Sequence, residues 1–175
     1  MYECCNTKFE TLKEFKQHIK SRPTHFLTSS TIINLKIGDD ELRKLIMNKE
    51  FVASLLNISK VNEEVYVIPL HSNKRPLGST LKRSIAAKIE GPKYDAGLPT
   101  YVIYAKNLVY KVSFRVFNGK LAVLAQMEAE IGSLRFLPGI VIKALSTLPT
   151  PQTLIKSVED KLVSSPSVYN SLKNG

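Results

Sequence analysis

Tryptophan is absent from this chain of 175 residues, and cysteine occurs only twice, at Cys4 and Cys5. Two adjacent cysteines cannot form the paired bridges that staple small secreted folds, so stability must come from a packed core. With 43% apolar residues the chain can build one. A run of about 18 apolar residues is also missing, which argues against a membrane-spanning helix. The opening Met1-Tyr2-Glu3-Cys4-Cys5 has no apolar secretory core, so the expected location is cytoplasmic. Acidic residues are in short supply, 15 against 25 Lys and Arg, for a net charge of +10. That excess admits nucleic acid or an anionic membrane as partner. The cations are scattered, however, and a solvated basic surface is the plainer reading. Repeats and low-complexity tracts are lacking.

Catalytic patterns are lacking too. His71 is the single histidine beyond residue 25 and sits in a Lys/Arg/Pro-rich stretch without a nucleophile elbow, so it reads as a surface residue. Glu128 and Glu130 read as cross-strand partners for Lys111 and Arg115 rather than as an acid-base pair. Gly91-Pro92 and Gly97 punctuate an expected loop over 91–99 and do not form a phosphate cradle. A non-enzymatic binding protein is the expectation.

What is present is a long ribbon from Leu108 to Ile131. Asn118-Gly119 lies between two alternating apolar runs, the strongest local hairpin signal, because both turn residues must take positive φ. Pairing outward sets Phe117 against Lys120, Phe114 against Val123, Val112 against Ala125, Tyr110 against Met127 and Leu108 against Ala129. One face is dry; the other carries Lys111, Ser113, Arg115, Gln126, Glu128 and Glu130. The small Ala125 and Ala129 leave room on the dry face for a helix or for a ligand.

Around the ribbon the pattern predicts a strand over Phe26–Ile37 and an N-cap at Asp39. A broken helix follows, with stripes at Leu42, Leu45, Ile46 and at Phe51, Val52, Leu55, Leu56. Strands follow over Glu63–Leu70, Leu81–Glu90 and Thr100–Ala105, with a loop at His71–Gly78. Pro138 suits a first helical turn before Ile140, Val141, Ala144, Leu145 and Leu148. Thr150 and Pro151 can start a last helix with Leu154, Ile155, Val158 and Leu162 inward. The Ser- and Asn-rich tail is expected to be flexible.

The start of the chain differs from the rest. Cys5 and His18 are separated by twelve residues, with Phe9, Leu12 and Phe15 between them and a short helix over 11–20. This segment resembles a two-Cys, two-His zinc finger, and the resemblance implies Cys4, Cys5, His18 and His25 as zinc ligands. It departs from the pattern in two ways. The cysteines are adjacent, a poor arrangement for one tetrahedral ion, and six residues including Pro23 separate the two histidines. A metal-free finger packed through Phe9, Leu12 and Phe15 is the alternative. Lys13, Lys16, Lys20 and Arg22 would meet phosphates if the segment bound nucleic acid.

The order of elements, with Lys49-Glu50-Phe51-Val52 leading into Leu55-Leu56, resembles the helix-grip fold of the START and Bet v 1-like superfamily over roughly residues 28–163. Within it the chain looks closest to a small branch of fatty-acid carriers from thermoacidophilic archaea. The resemblance implies an α+β fold, with a curved antiparallel sheet wrapped on a C-terminal helix and an apolar cavity between them. It carries over no catalytic residues. Pro149 and Pro151 depart from an unbroken C-terminal helix and leave the cavity roof, or a portal, open. The organisation expected is a finger-like segment over 1–25, a ligand-binding domain over 26–165 and a tail over 166–175. A lipophilic ligand such as a fatty acid would lie along Tyr110, Val112, Phe114, Val123, Ala125 and Met127, under Ile140, Leu145, Leu154 and Val158. A second copy of the chain is a further candidate partner.

Overall fold

The computed structural model describes residues 1–70 and 84–163. The loop expected at His71–Gly78, the first residues of the strand expected from Leu81, and the tail expected over 166–175 lie outside the described residues.

A two-stranded hairpin, β1 (Tyr2–Cys4) and β2 (Thr7–Phe9), is followed by helix α1 (Leu12–Ser21). Thr11 and Glu14 close a capping box at the start of α1, each side chain accepting from the other's backbone N–H. The body then runs β3 (Thr24–Asn34), α2 (Asp39–Ile46), α3 (Lys49–Leu55), β4 (Ser59–Lys60), β5 (Tyr66–Pro69), β6 (Ser84–Asp95), β7 (Leu98–Ala105), β8 (Leu108–Phe117) and β9 (Lys120–Glu130). A 3-10 turn (Gly132–Phe136), α4 (Pro138–Leu145) and α5 (Pro151–Val163) complete it. The seven strands of the body form one antiparallel sheet in the order β3-β9-β8-β7-β6-β5-β4.

The β8–β9 ribbon has the register that its turn dictates, from Phe117 opposite Lys120 to Leu108 opposite Ala129. Asn118 and Gly119 both take positive φ, 48° and 71°. β3 returns from the start of the body to pair with β9 along its whole length, Thr24 opposite Glu130 through Asn34 opposite Lys120. The α2–α3 pair and α5 close over the apolar face, α5 against β3, β9 and α3.

Four expectations are corrected. β3 spans Thr24–Asn34, not 26–37, because its partner β9 and not its own composition sets its ends. Asp39 does not cap α2; Gly38 occupies that position, and the Asp39 carboxylate instead accepts from the backbone N–H of Asn118 (3.0 Å) and Gly119 (2.7 Å). The loop expected over 91–99 is strand. β6 runs on to Asp95 through a register shift between Glu90 and Lys93 that absorbs Pro92, and it turns at Ala96-Gly97 into β7. Lastly, Lys111 pairs with Asp95, and the Arg115 guanidinium lies over the Phe117 ring at 5.4 Å, so neither uses Glu128 or Glu130. The register explains this: Lys111 faces Gln126 and Arg115 faces Ala122.

Candidate metal centre and ligand crevice

Successive side chains of a strand point to opposite faces, so two neighbouring cysteines should diverge. Here Cys4 ends β1 and Cys5 opens the two-residue turn into β2. Cys5 and Asn6 both adopt positive φ, 54° and 57°. The left-handed backbone at Cys5 breaks the alternation and brings the two Sγ atoms to 3.6 Å. Such a conformation is uncommon for a residue with a Cβ, and it is stored here where two thiols must converge. The divergence expected of adjacent cysteine side chains is absent here for this reason.

His25 completes a triangle, with Nδ1 3.6 Å from Cys4 Sγ and 3.7 Å from Cys5 Sγ. Its Nε2–H donates to the carbonyl oxygens of Ile19 (3.2 Å) and Arg22 (3.0 Å), which leaves the Nδ1 lone pair free. The fourth group, His18 on α1, stands 5.0 Å from His25 ring to ring, and its Nε2 is buried without a hydrogen-bond partner. One ligand atom from each of the four residues falls within a 4.8 Å cluster. A tetrahedral zinc ion with Zn–S about 2.3 Å and Zn–N about 2.0–2.1 Å sets its ligands about 3.3–3.8 Å apart along the edges. The three short distances match those edges, and His18, within the same 4.8 Å cluster, is near enough to offer the remaining corner.

The charges fit as well. Burial lowers the pKa of both histidines, aided at His18 by His25 and Arg22, so both rings are neutral donors at pH 7. Burial pushes the Cys4 thiol up to about 12, and Cys5 beside it adds to the shift. A doubly charged cation reverses that balance, because the thiolate is the ligating form. His25 belongs to β3, so the boundary expected at 25/26 falls inside a strand of the main sheet. A metal held by these four residues would tie the finger directly to the body. Phe15, Ile19 and Cys4 form a small core there with Val141 of α4, and Phe9 and Tyr2 pack on Phe15.

The residues expected to line an apolar cavity meet a different fate. Tyr110, Val112, Phe114, Val123, Ala125 and Met127 share one buried cluster with Leu154 and Val158 of α5. Each of the six from the ribbon is 2% exposed or less, because α5 packs over β9, on the face that Ala125 leaves open, and α2 packs on β8. Ile140 does not join them. It is 57% exposed, because α4 packs on α1 and not on the sheet. Leu145 is half-buried and packs against both clusters. Lys13, Lys20 and Arg22 are exposed, and Lys16 is half-buried on α1.

An open crevice lies elsewhere on the surface. A crevice of about 300 Å³ runs between the end of α2 and the sheet, walled by Ile46, Met47, Leu98, Pro99, Phe114 and Val116. Arg43, Arg115 and Tyr94 also line it. Sequence reasoning missed this site, because its walls come from three separated segments that only the sheet brings together. A crevice with apolar walls and two arginines in its lining suits a ligand with a hydrocarbon part and an acidic head.

Among solved structures the chain is similar to norcoclaurine synthase from Thalictrum flavum, at a TM-score of 0.50 and 6% identity over 94% of this chain and 99% of that one. The chain has the helix-grip fold. Matches to TTHA0849 from Thermus thermophilus (TM-score 0.48, 14% identity, 80% of this chain and 99% of that one) and to Ara h 8.0201 (0.41, 13%, 80% and 99%) are looser. No protein-family profile matches the chain, and no curated protein does.

Two buried tyrosines of the grip hold its helices to the sheet. Tyr101 donates to the Ile46 carbonyl at the end of α2 (2.5 Å), and Tyr110 donates to the Pro149 carbonyl just before α5 (2.8 Å). Burial raises the pKa of both, to about 12 for Tyr101, so both remain donors at any physiological pH. Tyr110→Phe leaves the Pro149 carbonyl without its partner. The expected loss is about 1–3 kcal/mol in urea unfolding, with faster amide exchange at the start of α5. An unchanged midpoint would show that Pro149 has another partner.

Proposed function

We propose that this protein is a non-enzymatic carrier or sensor of a lipophilic carboxylate, such as a fatty acid, that enters the helix-grip at the crevice beside Phe114. The observation that carries this reading is the pairing of apolar walls with Arg43 and Arg115. The head group meets the two guanidiniums, and the hydrocarbon chain runs towards the buried face of Phe114. Arg43 now leans on the exposed Asp40 (3.2 Å), a contact worth little in water and easily exchanged. Among the described residues lining the crevice, Arg43, Arg115 and Tyr94 are the only titratable groups, and they make no acid-base pair. The resemblance to archaeal fatty-acid carriers supports the same ligand class.

Zinc is the metal that the second site suits. Two thiols and two neutral imidazoles within 4.8 Å of one another suit a structural zinc set with no open position, so the ion would stabilise the finger without taking part in a reaction.

The test for the ligand is calorimetric titration with a long-chain fatty acid. One mole per chain is expected to bind. The double variant Arg43→Gln, Arg115→Gln should bind about tenfold or more weakly, since each charge-assisted hydrogen bond is worth roughly 1.5–3 kcal/mol. Equal binding by the variant, or none by the natural chain, would sink the reading.

A further inference from the structure

Leu134, Phe136, Leu137 and Ile140 are 48–62% exposed, all within seven residues of the 3-10 turn and the first turn of α4. Single exposed apolar residues are ordinary; this density is not. Both elements pack against α1. The start of α1 adds Leu12, also exposed, and its outer stripe is Lys13, Lys16 and Lys20, spaced three and four apart, with Arg22 just beyond. From Ile131 to Thr150 the chain has two basic residues, Arg135 and Lys143, and no acidic one. The half-buried Arg135 lays its guanidinium over the exposed Phe136 ring at 4.8 Å.

We propose that this face, the 134–140 segment with the basic side of α1, docks on the surface of an anionic lipid bilayer. Aliphatic tips would enter the boundary between head groups and acyl chains. Lysine and arginine stems would lie along the apolar layer and place their charges at the phosphates. Nucleic acid fits less well: single strands are gripped by stacking on aromatic rings, and Phe136 is the one aromatic side chain among the five exposed apolar residues. A protein partner fits less well too, since interface centres are depleted in lysine. The inference does not rest on the fatty-acid reading, because the two sites share no residue.

The experiment is co-sedimentation of the full chain with vesicles of phosphatidylcholine alone or mixed with phosphatidylglycerol. Binding to the mixed vesicles is expected at low salt, with little binding to neutral ones and a marked fall at high salt. Phe136→Ser with Leu137→Ser should weaken it about tenfold or more. Lys13→Glu with Lys20→Glu should abolish the preference for phosphatidylglycerol. All changed residues are on the surface, and circular dichroism checks that the variants fold. No binding by the natural chain, or full binding by the Phe136→Ser, Leu137→Ser variant, would overturn the proposal. So would vesicle-free capture of a single-stranded oligonucleotide, or a dimer, that the same two serines abolish.

Discussion

His18→Ala should purify without zinc, while the natural chain, expressed with zinc in the medium, should hold one ion per molecule in native mass spectrometry. The effect on stability should be the largest that any single side chain gives here. Structural zinc contributes about 10–16 kcal/mol in finger peptides at neutral pH, and the finger's own core is small, built on Cys4, Phe15, Ile19 and Val141. Without the ion the buried His18 Nε2 has no partner, and the thiols keep only weak contacts to each other and to His25. Amide protection should therefore collapse across α1 and the β1–β2 hairpin. Because His25 belongs to β3, the loss should reach the end of the main sheet, where Thr24 pairs with Glu130, and fade towards Asn34. Cys5→Ser should behave alike. A zinc-free natural chain with a fully protected α1 would show that the finger packs through its aromatic residues alone.

Phe114→Ala should cost about 3–5 kcal/mol in urea unfolding, the usual range for removing a fully buried ring. Phe114 is 0% exposed, meets Tyr101 edge to face at 6.2 Å between centroids, and lies opposite Val123 on the ribbon. Nothing nearby is free to collapse into the space, since the surrounding cluster is held on one side by the sheet ladder and on the other by α5. The void left would be lined by apolar side chains, and it should accept a small apolar probe such as benzene. It would also join the crevice to the interior, so fatty-acid binding should strengthen even as the fold weakens. A cost below about 1 kcal/mol would mean that the dry face already holds a cavity.

The two sites differ in how far the residues alone reveal them. The metal ligands were legible as a group, because the spacing from Cys5 to His18 and the helix between them form a local pattern. Their convergence was not legible. It depends on a left-handed backbone at Cys5, on α1 lying against the turn, and on His25 arriving from β3. The crevice left no trace in the sequence. Ile46, Leu98 and Phe114 are each one apolar residue in an apolar pattern, and nothing local marks them as neighbours.

What the sequence determined by itself is whatever a few adjacent residues can enforce. Asn118-Gly119 dictated the ribbon and its register pair by pair. The 3.6-residue stripe Leu154, Ile155, Val158, Leu162 dictated which side of α5 is buried, and Pro138 marked where α4 begins. Tertiary structure decided what those faces meet. It carried β6 through Gly91-Pro92 because β7 offered a partner there, and it turned α4 onto the finger, leaving Ile140 in solvent. It also closed α5 over Ala125. The physical reason is the range of the interactions. Turn geometry and side-chain periodicity act within a few residues, whereas burial of an apolar face depends on which other face the whole chain brings against it.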